Sequence, residues 1–271
     1  MSNKTLIAGP WIGEFGWELF AWQAYIRSLA TNFDKVVVIS RENSRGLYED
    51  FCDKFISFEP PKELADSYFM YNVKLEDMFK QSIIGKYSLE KGNTILIPRR
   101  IGNPPYTHHN EFIDIGPYKV KPKYIKFGHK NHKKYDFVFH ARNRDLRKED
   151  NWKEENWEQL RDMLNSDKIA SIGTKEESLH IQGTEDLRGL NLSDLFNVLH
   201  NSKCSFGPSS GPMHLSSLCG TPHVVWSRKE NYQRYTKNWN PLSTPILFDS
   251  KYSWHPSAEY VYEIYKKWEI K

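Results

Sequence analysis

Cysteine is scarce in this chain of 271 residues: Cys52, Cys204 and Cys219 lie far apart and are odd in number. That pattern fits neither a disulfide framework nor a C-x-x-C metal knuckle, so free buried thiols without redox chemistry are expected. Long apolar runs are also missing. Nothing approaches the ~18–20 residues of a spanning helix, and MSNKTLIAGPW passes into charged and aromatic residues without a signal-peptide core. The expectation is a cytoplasmic protein with no integral membrane segment, the inner face of a membrane being the peripheral setting that stays open. Nor does one sign of charge dominate, since 38 Lys+Arg stand against 34 Asp+Glu. A net charge of +4 does not demand a large nucleic-acid footprint. G-x-G-x-x-G, G-x-x-x-x-G-K-[ST] and H-E-x-x-H are all absent, which argues against dinucleotide oxidoreductases, P-loop NTPases and one class of metalloprotease. His108-His109 has no third ligand at metal spacing, so neither metal nor cofactor is expected.

What is present is enough apolar residue, 39%, for a real core, and a repeating pattern. Strands are expected at Thr5–Gly9, Val36–Ser40, Phe55–Phe58 and Thr94–Ile97, with helices at Trp17–Ala30 and Val73–Ile84. Periodicity fades from Pro98 to about Lys134, where Lys121 to Lys134 holds six lysines and no acid. That run reads as a solvated linker face or as contact with a polyanion or an anionic membrane surface. The pattern then restarts: strands at Asp136–His140, Lys168–Ile172, Lys203–Phe206, His223–Trp226 and Ile246–Phe248, and helices at Glu154–Leu164, Leu192–Asn201, Pro212–Cys219 and Ala258–Trp268. Strand alternating with helix implies parallel βαβ units. The expected class is therefore α/β, two Rossmann-like domains at 1–128 and 129–271 with a cleft between them at the carboxyl ends of the strands.

Three strand-to-helix loops hold the candidate chemistry. Gly207-Pro-Ser-Ser-Gly-Pro-Met-His214 leaves an apolar strand and opens a helix with Pro212 near its first position. Ser209, Ser210 and Gly211 would offer hydroxyls and N–H groups at a helix N-terminus, where a diphosphate is favoured; the competing reading is a capped helix and nothing more. His214 either points to that ligand or is a satisfied structural histidine. His140-Ala-Arg-Asn-Arg-Asp145 supplies basic groups at the end of another strand, with Arg142 the leading phosphate ligand and Arg144 a second one or a salt-bridge partner of Asp145. Gly9-Pro-Trp-Ile-Gly-Glu-Phe-Gly-Trp-Glu18 places Glu14 or Glu18 at the edge of the first domain. Either carboxylate could serve as a base or be structural. Trp11, Gly13, Trp17 and Glu18 are acceptor-side candidates, whereas Trp22, Phe15 and Trp226 read as core. Arg228, Lys229, Tyr232 and Arg234 form a basic, aromatic stretch beyond the fourth strand of the second domain.

The segment from Asp186-Leu-Arg-Gly through Gly207-Pro-Ser-Ser-Gly-Pro-Met-His-Leu to Gly220-Thr-Pro-His-Val-Val-Trp226 resembles the donor-binding half of family 9 glycosyltransferases, the lipopolysaccharide heptosyltransferases. The resemblance implies a GT-B architecture and an inverting, metal-independent transfer from a nucleotide-diphosphate sugar bound mainly by the C-terminal domain. Ile172-Gly173-Thr174 through Glu177 resembles that family's turn beside the nucleotide, and Ile12-Gly13-Glu14 its I/L-G-D, which makes Glu14 the catalytic base. H-A-R-N-R-D is similar to the H-x-R-R-x-D of GT-B fucosyltransferases, in which an arginine meets the donor diphosphate; Arg142 holds the first Arg position and Asn143 departs from the second. Ser209 stands where family 9 has Asp, so the donor's identity is not carried over. The implied acceptor is a surface glycan, lipopolysaccharide or a lipid-linked glycan. A hydroxylated base in DNA is the alternative acceptor, favoured by the lysine run and the aromatic N-terminal loop, and a non-catalytic nucleotide-binding protein of the same fold is the alternative outside enzymes.

Overall fold

A computed structural model describes residues 4–59, 92–100, 113–114, 117–130 and 134–269. The expected helix Val73–Ile84 and the pair His108-His109 lie outside these residues. The chain divides into two compact units, Met1–Tyr124 and Ile125–Lys271, four residues before the boundary expected from sequence. The linker residues after Tyr124 are bound to the second unit: the Phe127 N–H donates to Leu218 O at 2.9 Å, and its ring stacks on Phe196 at 4.5 Å.

In the first unit, β1 (Thr5–Ala8), β2 (Lys35–Ser40), β3 (Lys54–Ser57) and β4 (Asn93–Leu96) form a parallel sheet of order β3-β2-β1-β4. Its central strands read as unbroken Leu, Ile and Val because both faces are covered. The strands β5 (Arg99–Arg100) and β6 (Ile113–Asp114) pair separately as an antiparallel ribbon. The helix expected over Trp17–Ala30 is interrupted. Its parts are a single turn α1 (Phe15–Trp17), a π-helical turn over Glu18–Trp22, and α2 (Gln23–Ala30). The extra residue in that turn is not visible to a 3.6-residue pattern, since apolar spacing is nearly preserved across it.

The second unit is one six-stranded parallel sheet. The strands β7 (Tyr135–Phe139), β8 (Ile169–Ser171), β9 (Glu185–Asp186), β10 (Ser202–Pro208), β11 (His223–Trp226) and β12 (Ile246–Asp249) take the order β12-β11-β10-β7-β8-β9. The two-residue strand β9 was not foreseen, being too short to carry a period. The strand β10 runs two residues past the expected Phe206, and the Ser209 N–H to Trp226 O bond of 3.1 Å carries the ladder beyond Pro208. Helices α3 (Glu154–Leu164), α4 (Leu192–His200), α5 (Gly211–Cys219) and α6 (Ala258–Glu269) follow the expected spans closely. One face of the sheet buries Phe137, Phe139 and Phe206 with Trp152, Trp157, Trp226 and Tyr265. Trp152 lies 4.8 Å from Trp157 and 4.7 Å from Trp226, ring centre to ring centre, so Trp226 is core, as expected.

Candidate functional site

Each sheet reverses its strand order once, and loops leaving the strands at such a reversal diverge to open a crevice. In the second unit the reversal lies between β7 and β10. The two candidate loops leave from these neighbours, and their side chains meet: His140 Nδ1 lies 2.8 Å from Ser210 Oγ. Ser210 is the N-cap of α5, with extended backbone at φ −163° and ψ 170°, yet its hydroxyl makes no cap bond. Its N–H donates to the Tyr235 hydroxyl at 3.0 Å, and its carbonyl accepts from His214 N at 3.1 Å. Ser210 is thus gripped at N–H, side chain and carbonyl. Ser209, Ser210 and Gly211 remain partly exposed, and the Gly211 N–H belongs to the first turn, where an α-helix has no intrahelical acceptors to offer. A cluster of hydroxyls and N–H at the positive end of a helix suits an anion.

His140 is buried, with Nε2 3.4 Å from Ser178 Oγ. Burial first, then Arg142 and Arg144, pushes its pKa down to about 3, so the ring is neutral near pH 7. The 140 loop is zipped to the turn after β8 by Leu179 N to Ala141 O at 2.8 Å and Asn143 N to Glu177 O at 2.7 Å. Gly173 in that turn has φ +123°, and a Cβ there would stand 2.0 Å from Ser178 Oγ and 3.0 Å from His140 Cδ2. Glycine is required at this position by packing against Ser178 and the histidine. Thr174 is exposed, and its hydroxyl accepts from the Glu177 N–H at 3.1 Å.

Several candidates sit differently from their expected place. The Arg142 guanidinium turns into its own loop, donating to Leu146 O at 3.0 Å, to Arg147 O at 3.2 Å and to Asn151 Oδ1, and the residue is buried. It holds the 144–151 loop in place, and burial lowers its pKa. Arg144 pairs with Glu177 at 3.2 Å, not with Asp145. His214 is buried, stacks on Tyr235 at 4.0 Å and meets Trp239 at 4.5 Å. Tyr235 belongs to a second π-helical turn, Arg234–Asn238, and burial pushes its hydroxyl pKa upward. His140 as the Ser210 partner and Tyr235 as its acceptor were both missed from sequence. His140 stands beside two arginines, which are the stronger phosphate signal in the sequence, and a tyrosine 25 residues from Ser210 leaves no local signal. Arg228, from the basic stretch, reaches the buried Asp150 at 3.6 Å, while Tyr232 is exposed.

In the first unit the reversal lies between β1 and β4, and the candidate loop leaves β1 there. Gly9 has φ +118°, and a Cβ would collide with Ile39 O at 2.2 Å, so the chain can turn here only as glycine. The Gly9–Pro10 bond is cis. Trp11 and Trp17 are buried, at 0% and 2% exposure, with Trp11 5.9 Å from Trp22. Their expected place at the acceptor side gives way to burial, Trp11 packing against the Trp22 ring. Glu18 is fully buried as well. Its carboxylate accepts from Ser40 Oγ at 2.5 Å, Ser44 Oγ at 2.7 Å and Tyr48 Oη at 2.8 Å, and Arg41 stands 3.5 Å away. It ties the π-helical turn to the end of β2 and is structural. Arg41 also donates to Gly13 O at 2.7 Å, and Gly13 is buried with φ +135°. Glu14 follows, partly exposed, with extended backbone and no side-chain bond to the helix it precedes. It is the carboxylate of this loop that stays at the surface.

Among the described residues no group of His, Cys, Asp and Glu is arranged to hold a metal ion, and no helix is long and apolar enough to cross a membrane. No protein-family model matches the chain, and no curated protein matches it in sequence. Solved structures do. The ADP-heptose lipopolysaccharide heptosyltransferase II of E. coli superposes over 97% of this chain and 98% of its own, with a TM-score of 0.63 at 13% identity. A family 9 glycosyl transferase from Veillonella parvula matches over 99% and 90% with a TM-score of 0.60 at 10% identity. A UDP-N-acetylglucosamine 2-epimerase described as putative, from Listeria monocytogenes, matches over 98% and 87% with a TM-score of 0.52 at 12% identity. At these identities the likeness concerns the fold, which is α/β and GT-B-like, with two Rossmann-like domains, as the heptosyltransferase resemblance implies.

Proposed function

We propose that the chain is a glycosyltransferase that moves a sugar from a nucleotide-diphosphate sugar to a hydroxyl acceptor with inversion. The observation that carries this reading is the loop at the β7/β10 reversal, where Ser209, Ser210 and the Gly211 N–H gather at the start of α5 in a fold shared with heptosyltransferases. That loop would take the donor diphosphate, with Arg144, Gly173 and Thr174 beside it. Arg142 and His214 would act through the loops they brace. Glu14 would remove the proton of the acceptor hydroxyl as its oxygen bonds to the anomeric carbon. The bond from that carbon to the β-phosphate oxygen breaks in the same displacement, and the nucleoside diphosphate leaves with the electron pair. Its charge would be met by the helix N-terminus and arginine, without a divalent cation. A surface glycan, lipopolysaccharide among them, is the acceptor class that fits the heptosyltransferase likeness.

The test is thermal stabilisation by a panel of nucleoside diphosphates and nucleotide sugars. A ligand at 100 times its Kd adds about 2.7 kcal/mol to the stability of a one-site protein. One selective nucleotide would identify the donor and open an acceptor screen, whereas no response from folded protein would remove the reading. The epimerase likeness supports a second reading, isomerisation of the sugar on its nucleotide. Incubation with donor alone separates them, since an isomerised donor without acceptor would favour epimerisation.

A further inference from the structure

Ser210 is fixed at two backbone atoms, its N–H by the Tyr235 hydroxyl at 3.0 Å and its carbonyl by His214 N at 3.1 Å. What remains open is the direction of the hydroxyl proton, since a serine hydroxyl has one proton to give and two lone pairs to receive. At an N-cap that oxygen ordinarily accepts from the N–H of the second or third helical residue. Here the second is Pro212, which has none, and the hydroxyl instead stands 2.8 Å from His140 Nδ1. The imidazole cannot follow it elsewhere. Its other nitrogen faces Ser178 Oγ at 3.4 Å, its ring edge lies where a Gly173 Cβ would be 3.0 Å away, and its carbonyl is 3.3 Å from the corresponding point on Gly207. The ring is also neutral, so one nitrogen carries a proton and the other does not. If Nδ1 were the acceptor, the Ser210 proton would be spent on the protein. If Nδ1 carries the proton, Ser210 Oγ receives it and its own proton is directed outward.

We propose that His140 is a positioning residue that donates from Nδ1 to Ser210 Oγ, so that the Ser210 hydroxyl proton points at an oxygen of the bound diphosphate. The assignment rests on the donor-site reading above. It makes Ser178 a donor to Nε2, and Gly173, at φ +123° and with Ser178 Oγ 2.0 Å from where a Cβ would stand, leaves that hydroxyl in place beside the ring.

Two measurements test it. Nitrogen-15 NMR of the wild-type imidazole should report Nδ1 protonated and Nε2 bare without any ligand; the opposite tautomer overturns the proposal. Titration with inorganic pyrophosphate, ADP, UDP and GDP should then show Ser210→Ala and His140→Leu each weakening the tightest of them about fivefold, the size of one hydrogen bond. The double variant should be no weaker than either single one. His140→Asn, whose amide N–H can take the place of Nδ1–H, should bind like the wild type and serves if His140→Leu does not fold. Additive losses, or a loss in His140→Asn equal to that in His140→Leu, would assign His140 to packing alone and overturn the relay. Wild-type protein that binds none of the four probes would overturn the donor reading itself, with the tautomer still reporting on the His140–Ser210 bond.

Discussion

The two sheets share one topological device and fill it differently. Each reverses strand order once, beside β1 in the first unit and between β7 and β10 in the second. In the first, the loop prolongs the ladder on both sides of β1, with the Gly9 N–H donating to Leu96 O at 2.9 Å and the Trp11 N–H to Ile39 O at 3.1 Å, and Trp11 and Ile12 are buried. In the second, Ser209, Ser210 and Gly211 stay partly exposed. Both places are braced by a π-helical turn, which delivers Glu18 to Ser40, Ser44 and Tyr48 in one and Tyr235 to Ser210 in the other. A shared connection therefore does not dictate a shared surface. Apolar filling leaves Glu14 partly exposed, whereas polar filling leaves a cluster of hydroxyls and N–H suited to an anion. Under the proposed function the first would supply the base and the second would hold the donor's charge.

That contrast is sharpest at Glu14. If the first loop is the chemical one, Glu14→Ala should lower kcat about 10²–10⁴-fold, the usual worth of a general base, while nucleotide affinity and melting temperature stay unchanged. Steady-state kinetics beside calorimetry would decide it, and wild-type turnover would strike Glu14 from the mechanism. Glu18, four residues on, should behave in the reverse way. Glu18→Ala removes the acceptor of three buried hydroxyls and the ion pair with Arg41, and is expected to cost about 3–5 kcal/mol in urea unfolding. A loss below 1 kcal/mol would mean that this carboxylate is not structural.

The second unit should show its buried histidines in its acid stability. His140 and His223 are pushed down, by burial above all, to about 3 and about 4. The unfolded chain takes up these protons near pH 6.5, before the folded one does. Their contribution is thus complete above pH 6.5 and is lost as pH falls toward 4, at up to about 1.4 kcal/mol per pH unit for each ring. His140→Asn should flatten the stability profile between pH 6.5 and 4, and an unchanged slope would show that the ring is already charged when folded. The smallest effect expected is none: a chelator should leave transfer unaltered, because helix terminus and arginine would meet the leaving charge. Activity that disappears with chelation and returns with magnesium would refute that part.

The sequence by itself determined the alternation of strand and helix, the α/β class and the positions of the three strand-to-helix loops. These are local or periodic properties, written in the spacing of Val, Ile, Leu and Phe and in Gly, Pro and Ser at the turns. The π-helical turn at Glu18–Trp22 escaped because an inserted residue barely disturbs such spacing. Tertiary structure alone decided which polar groups serve the fold and which face outward. Arg142, Glu18, Trp11 and Trp17 all stand in segments that invited a functional reading, and all are buried: Glu18 meets Ser40, Ser44 and Tyr48 from distant elements, whereas Arg142 turns back on its own loop. Ser210 stays partly exposed because His140, 70 residues away, and Tyr235, 25 residues away, hold it there. Burial and pairing arise between elements, and no window along one strand or helix contains them.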